Sequence, residues 1–168
     1  FQGRIAAFGP CIQTNGGNLI ASGTFISEND YCVWISGNDT HADVKGTVLS
    51  NKNSALALYN GVLTFEGTAI SNELFGLEMG GGWSGTLKNS IIESRANGGY
   101  ETGDAISKYG GLDLTLDNCT LKSFHPSAYS ISEQGRADKV LLKSDCSANR
   151  PASPIITLIG DGKLILNT

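Results

Sequence analysis

The chain has 168 residues, 40% of them apolar, which is enough for one domain with its own core and too apolar for a disordered chain. A net charge of −4 without any basic run excludes the electrostatic footprint of a nucleic-acid binder, and no apolar run approaches the ~18 residues of a membrane-spanning helix. Glycine supplies 22 residues, about twice its usual ~7% share and without a triplet period, so turns are frequent and a collagen-like chain is excluded.

In chain order, Phe1-Gln2-Gly3 has the form of a protease-site remnant from an expression tag and is set apart. Residues 4–168 are read as a single domain, itself a fragment of a longer chain. The first periodic stretch, Leu19/Ala21, runs directly into "GTFIS" (Gly23 to Ser27), and that short phrase then recurs. It returns as "GTVLS" (Gly46 to Ser50), "GTAIS" (Gly67 to Ser71), "NSIIES" (Asn89 to Ser94), "NCTLKS" (Asn118 to Ser123) and, weakly, "KSDCS" (Lys143 to Ser147). Alternating apolar residues also precede later copies, as in Leu63/Phe65, Leu112/Leu114/Leu116 and Val140/Leu142, the period of a strand with one buried face. About ten residues after each copy a second apolar stretch follows: "YCVWIS", "ALALYNG", "FGLEM", "DAISKYGG", "AYSIS" and "PIITLIGDG". "KLILNT" closes the chain as the start of a seventh copy.

Three short strands per repeat, joined at small-residue corners, predict an all-β solenoid of six to seven coils: a parallel β-helix. Helical repeats do not fit the period of two, and a sandwich does not repeat one corner sequence six times. Like residues then stack in columns about 4.8 Å apart. One ladder is expected from Ala21, Val44, Phe65, Leu87 and Leu116, and a second from Ile26, Leu49, Ile70, Ile92, Leu121 and Cys146. The corner position reads Gly23, Gly46, Gly67, Asn89, Asn118, the residue types that best tolerate a left-handed bend. From Asn18 to Thr168 the pattern resembles the right-handed parallel β-helix (pectate-lyase-like) superfamily. Its members include polysaccharide-active enzymes, bacterial autotransporter passengers and adhesins, and phage tailspikes, so the resemblance implies a fold and leaves function to the site.

Cys11 and Cys32, and Cys119 and Cys146, are each about one coil apart, so stacking brings each pair near the Cα spacing a disulfide accepts. Bridges Cys11–Cys32 and Cys119–Cys146 fit the spacing, and so do four free thiols packed as small apolar residues. Without a Cys-x-x-Cys or a close His/Cys cluster, no metal and no cofactor is expected.

Function on such a coil is expected in loops at its corners. The longest insertion, "RANGGYETGD" (Arg95 to Asp104), carries Tyr100, Glu101 and Asp104. A glycosidase needs carboxylates roughly 5 to 10 Å apart, and Glu93, Glu101 and Asp104 form the one cluster considered, against the plainer reading of a solvated loop. The enzyme branches of the resembled family are poorly matched. There is no Gly-His-Gly or Arg-Ile-Lys, "ISGNDTHAD" (Ile35 to Asp43) reads as a polar corner, and His41 and His125 stand apart. "GWSG" (Gly82 to Gly85) lacks the nucleophile-elbow spacing. Aromatic rings offer another route, because a sugar's apolar face stacks on a ring while nearby polar groups bond its hydroxyls. Trp34, Trp83, Tyr100, Tyr109 and Tyr129 qualify, with burial in the core as the competing role for each. Trp83 stands first because three glycines precede it, and the expected ligand site is Trp83, Tyr100, Glu101 and Asp104.

The leading expectation is a non-catalytic extracellular module at a cell or virion surface, as in an adhesin, autotransporter passenger or phage tail protein, binding glycans or another host-cell ligand. A β-helix polysaccharide lyase or hydrolase is the second. A structural spacer or assembly subunit, homo-oligomeric or continued by further coils, is the third.

Overall fold

A computed structural model describes residues 1–81, 84–97, 103–110, 113–134 and 139–167, and every regular element among them is a strand. The first turns pair a long strand with a short one: β1 (Gln2–Ala7) with β2 (Ile12–Asn15), and β3 (Asn18–Ser27) with β4 (Val33–Ser36). The order repeats in β5 (His41–Ser50) and β6 (Leu56–Leu58), β7 (Val62–Ser71) and β8 (Leu77–Gly80), then β9 (Ser84–Ser94) and β10 (Ile106–Tyr109). Beyond these the long strand divides. β11 (Asp113–Asp117) and β12 (Thr120–Ser123) precede β13 (Ile131–Gln134), and β14 (Lys139–Leu142), β15 (Cys146–Ala148), β16 (Thr157–Ile159) and β17 (Leu164–Leu166) follow.

Strands stack turn upon turn, all in parallel. One sheet runs β1-β3-β5-β7-β9-β11-β14-β16, with β12, β15 and β17 continuing from the second half of β9, and the other runs β2-β4-β6-β8-β10-β13. This is a parallel β-solenoid of about six turns, counted on the six strands of the second sheet. Residues 1–3 take part in it: Gln2 and Gly3 pair with Ser22 and Gly23, and the Phe1 ring lies 5.9 Å from that of Phe25.

The ladder Ala21–Val44–Phe65–Leu87–Leu116 stands in register as expected, extended by Leu142, and all six side chains are buried. The second ladder is corrected. The buried column is Phe25–Val48–Ala69–Ile92–Leu121–Ala148, whereas Ile26, Leu49 and Ile70 lie one place further on, half-exposed, in a column continued by Glu93 and Lys122. The cause is the corner. In the first three copies one glycine turns the strand, but against Gly67 the next turn sets two residues, Asn89 and Ser90, and the register shifts there. Ser90 and its successor Cys119 point inward and are buried. Such a two-against-one bulge moves every later residue one place along the pleat, so copies must be aligned on their final serine rather than their first residue.

Two further corrections concern the last turns. The sixth copy is displaced from Lys143: Cys146 stands beside Cys119, because Ser147 and Ala148 pair with Thr120 and Leu121. "PIITLIGDG" does not form a second-sheet strand; its β16 pairs with β14 in the first sheet, and the second sheet keeps only a bridge between Ile131 and Ala152.

The corner glycine and the closing serine each have a physical reason. A Cβ added at Gly46 would stand 2.1 Å from the carbonyl oxygen of Gly23, and one at Gly67 would stand 2.0 Å from that of Gly46, so adjacent turns approach too closely for any side chain. Ser27, Ser50 and Ser71 are buried; their hydroxyls donate to the carbonyls of Gly9, Asp30 and Asn53 on the preceding turn at 2.9, 2.7 and 2.7 Å. The same oxygens accept from the amides of Asp30, Asn53 and Leu74 at 3.1, 3.0 and 2.8 Å. One hydroxyl thereby satisfies two buried backbone groups and joins neighbouring turns.

The cysteines obey the same stacking. The amide of Cys11 donates to the carbonyl of Cys32 at 2.9 Å, and the Ser147 amide to that of Cys119 at 2.9 Å, so each pair occupies adjacent turns. All four are free thiols, with Cys11 half-buried and the others buried. Burial raises the Cys32 thiol above its ordinary range, and the hydrogen bond to Cys146, with burial, does the same at Cys119. A maleimide is therefore expected to label Cys11 first in the native protein and the other three only on unfolding, as counted by mass spectrometry. Rapid labelling of all four would contradict this burial. Failure to label unless both denaturant and reductant are added would reveal bridged pairs.

Candidate functional site

In the second sheet the inward positions form two buried columns. Ile12–Val33–Leu56–Leu77–Ile106–Ile131 is aliphatic, while Ile35–Leu58–Met79 is continued by Lys108 and Glu133. The Lys108 ammonium lies 3.7 Å from Glu133 Oε2 with both side chains 0% exposed, and it donates to the Gly110 carbonyl at 3.2 Å. The Gly110 amide donates in turn to Glu133 Oε1 at 3.3 Å.

The alternate column, directed away from that core, reads Gln13–Trp34–Ala57–Glu78–Ser107–Ser132. Here an aromatic group and a carboxylate come together. Tyr31 enters from the turn before β4 and Tyr59 follows β6, and their rings enclose that of Trp34. Ring centroids are 5.7 Å apart for Tyr31–Trp34, 6.3 Å for Trp34–Tyr59 and 6.2 Å for Tyr31–Tyr59, with the last two pairs edge to face, the orientation the ring quadrupoles favour. Each ring stays half-buried, so the group keeps an outer surface.

Glu78 anchors this group. Its Oε1 accepts from the Tyr59 hydroxyl at 2.6 Å and its Oε2 from the Ser54 hydroxyl at 2.8 Å. With the Tyr59 proton committed to Glu78, the 2.9 Å contact between the two phenols is donated by Tyr31. Burial, then the bonds to Glu78 and Tyr31, hold the Tyr59 phenol far above its ordinary range, and burial also raises Tyr31, so both remain neutral donors at physiological pH. Three buried polar atoms of this column, Trp34 Nε1, Ser107 Oγ and Ser132 Oγ, have no hydrogen-bond partner among the described residues. Half-buried rings beside a fixed carboxylate can stack on the apolar face of a ligand.

Of the residues expected from sequence to form the site, Trp83, Tyr100 and Glu101 lie outside the described residues. Asp104 is buried, and its Oδ1 accepts the Tyr129 amide at 2.6 Å. It holds before β10 the place that Ser54 holds before β6, so it shares a flank with the Trp34 group. Glu93 is engaged elsewhere, by Arg95 and by Lys122 at 3.9 Å. His41 and Asp43 face an open groove of about 290 Å³ with Asn18, Ile20 and Thr64. Another hollow, of about 670 Å³, lies beside Phe124, Arg150 and Leu166 at the last turns. Neither groups aromatic rings with a carboxylate. Among the described residues no set of three His, Cys, Asp or Glu side chains is placed to hold a metal ion, and no helix is long and apolar enough to cross a membrane.

Sequence reasoning weighed Trp34 but missed its partners. Tyr31, Tyr59, Ser54 and Glu78 come from three successive repeats, and the one available signal is that Tyr31 and Tyr59 flank second-sheet strands at opposite ends. Compared with protein-family models, with characterised proteins and with solved structures, the chain finds no match in any of the three.

Proposed function

We propose that this chain is a non-catalytic surface module, of the extracellular right-handed β-helix type, that binds glycans through the flank of its second sheet. The observation that carries the reading is the Tyr31–Trp34–Tyr59 group held against Glu78. A pyranose ring offers an apolar face that can stack on the half-buried indole. Further support comes from the carboxylates considered for hydrolysis. Glu93 is tied to Arg95 and Lys122, and Asp104 to a backbone amide, so neither is arranged as a free acid–base partner of the other.

A glycan array probed with the purified protein beside Trp34→Ala and Trp83→Ala variants tests the reading. Binding by the wild type and Trp83→Ala, weakened by about ten-fold or more in Trp34→Ala (about 1.4 kcal/mol), is the expected result. Binding lost in Trp83→Ala and kept in Trp34→Ala would move the site to Trp83. An array without hits would overturn the glycan reading.

A further inference from the structure

The buried charges of this protein are not treated alike. Glu133 faces Lys108, and Glu93 is held by Arg95 and Lys122. Glu78, 9% exposed, meets only the hydroxyls of Ser54 and Tyr59 and forms no ion pair among the described residues. Asp104, 2% exposed and on the next turn of the same flank, likewise has no cationic partner among those residues. Asp30 adds a third carboxylate, accepting the Tyr31 amide at 2.7 Å. The nearest cation in sequence, Lys108, points into the core, where it is spent on Glu133.

A carboxylate removed from water without a counter-charge is costly, and each of its oxygens has two lone-pair sites, of which Glu78 uses one apiece. The group of three rings is joined to it through the Tyr59 hydroxyl, and an aromatic face attracts a cation within about 6 Å of its centroid. In the register next to Glu78, the Ser107 hydroxyl is fully buried and has no partner among the described residues. A carboxylate without an ion pair among the described residues, set beside half-buried aromatic rings, is complementary to an ammonium group with three donors.

We infer that the glycan bound at this flank carries free, positively charged amines, as in a chain of unacetylated amino sugars, and that one ammonium group seats between the Tyr31–Trp34–Tyr59 rings and Glu78. The inference rests on the glycan reading above and narrows its ligand. Acetylation removes the charge and adds bulk where the ammonium meets Glu78, so the acetylated chain is discriminated against. Salt weakens the attraction by screening.

The test is calorimetric titration at mildly acidic pH with a β-1,4-linked glucosamine tetramer, its fully N-acetylated counterpart and 1,4-diaminobutane, on wild-type protein, Glu78→Gln and Trp34→Ala. The glucosamine tetramer is expected to bind about ten-fold or more tightly than the acetylated one, with an affinity that falls as sodium chloride is added. Glu78→Gln, nearly isosteric, is expected to bring the two tetramers within about two-fold of each other. Equal affinities in the wild type, with both lost in Trp34→Ala, would overturn this inference and leave the glycan reading standing. A preference that persists in Glu78→Gln would also overturn it. Binding of neither tetramer would overturn the inference and leave the glycan reading to the array, and diamine binding as tight as the glucosamine tetramer would overturn the sugar as the amine's carrier. Should Glu78→Gln melt well below the wild type, the salt series on the wild type decides: an affinity indifferent to salt overturns the inference.

Discussion

Replacing Glu133 with leucine is expected to cost about 3–5 kcal/mol of stability, more than replacing Glu133 and Lys108 together. The single change leaves the Lys108 ammonium in a column it shares with Ile35, Leu58 and Met79, and it strips the Gly110 amide of its acceptor. Each charge lost its water on folding, and the partner's opposite charge offsets part of that loss. The double variant Lys108→Met/Glu133→Leu removes both charges and prolongs the apolar column, so its stability is expected to return most of the way to wild type. Urea denaturation of the two variants measures this. A single variant no less stable than the double would mean that Lys108 reaches water or another anion once Glu133 is gone.

Phe65→Asp is expected to destabilise by more than about 4 kcal/mol, a large part of the 5–15 kcal/mol typical of a domain, and to leave little folded protein at ambient temperature. Phe65 is fully buried between Val44 and Leu87 on the neighbouring turns, so its replacement both opens a void and strands a carboxylate. Ile70→Asp, five residues further on, is expected to cost only about 1 kcal/mol. Ile70 is half-exposed and sits opposite Glu93, so part of that cost is like-charge repulsion, and Ile70→Lys should be milder still. Thermal or urea melts of the three variants check the assignment of faces. A severe loss in Ile70→Lys would mean that the first sheet presents its other face to the core.

The contrast between Phe65 and Ile70 marks how far sequence reading reached. Ala21, Val44, Phe65, Leu87 and Leu116 were legible as a ladder because they precede the corner, where all copies have equal length. Past the corner, five-residue and six-residue copies cannot be aligned without knowing whether one residue or two make the bend. The answer depends on Asn89 and Asn118, whose φ angles of 47° and 54° turn the chain without glycine but admit an extra inward residue after each. The ladder that mixed Ile26 with Ile92 therefore joined two faces of the sheet.

The candidate site was less legible for the same kind of reason. Trp34, Tyr59 and Glu78 share no motif, and nothing local tells Glu78 from the other acidic residues. Nothing in "DAISKYGG" marks Lys108 as buried, yet the pleat turns it inward to meet Glu133 from the following turn.

By itself, the sequence determined the solenoid, because a repeated phrase of period-two apolar residues, a corner glycine or asparagine and a closing serine satisfies one set of stacking constraints and no other fold of this size. The tertiary structure alone decided which residues meet across turns, since in-register stacking places residues some twenty to thirty positions apart at about 4.8 Å. Charge pairing in the core and the grouping of rings with Glu78 on the flank depend on that register, and a one-residue bulge is enough to exchange the two faces.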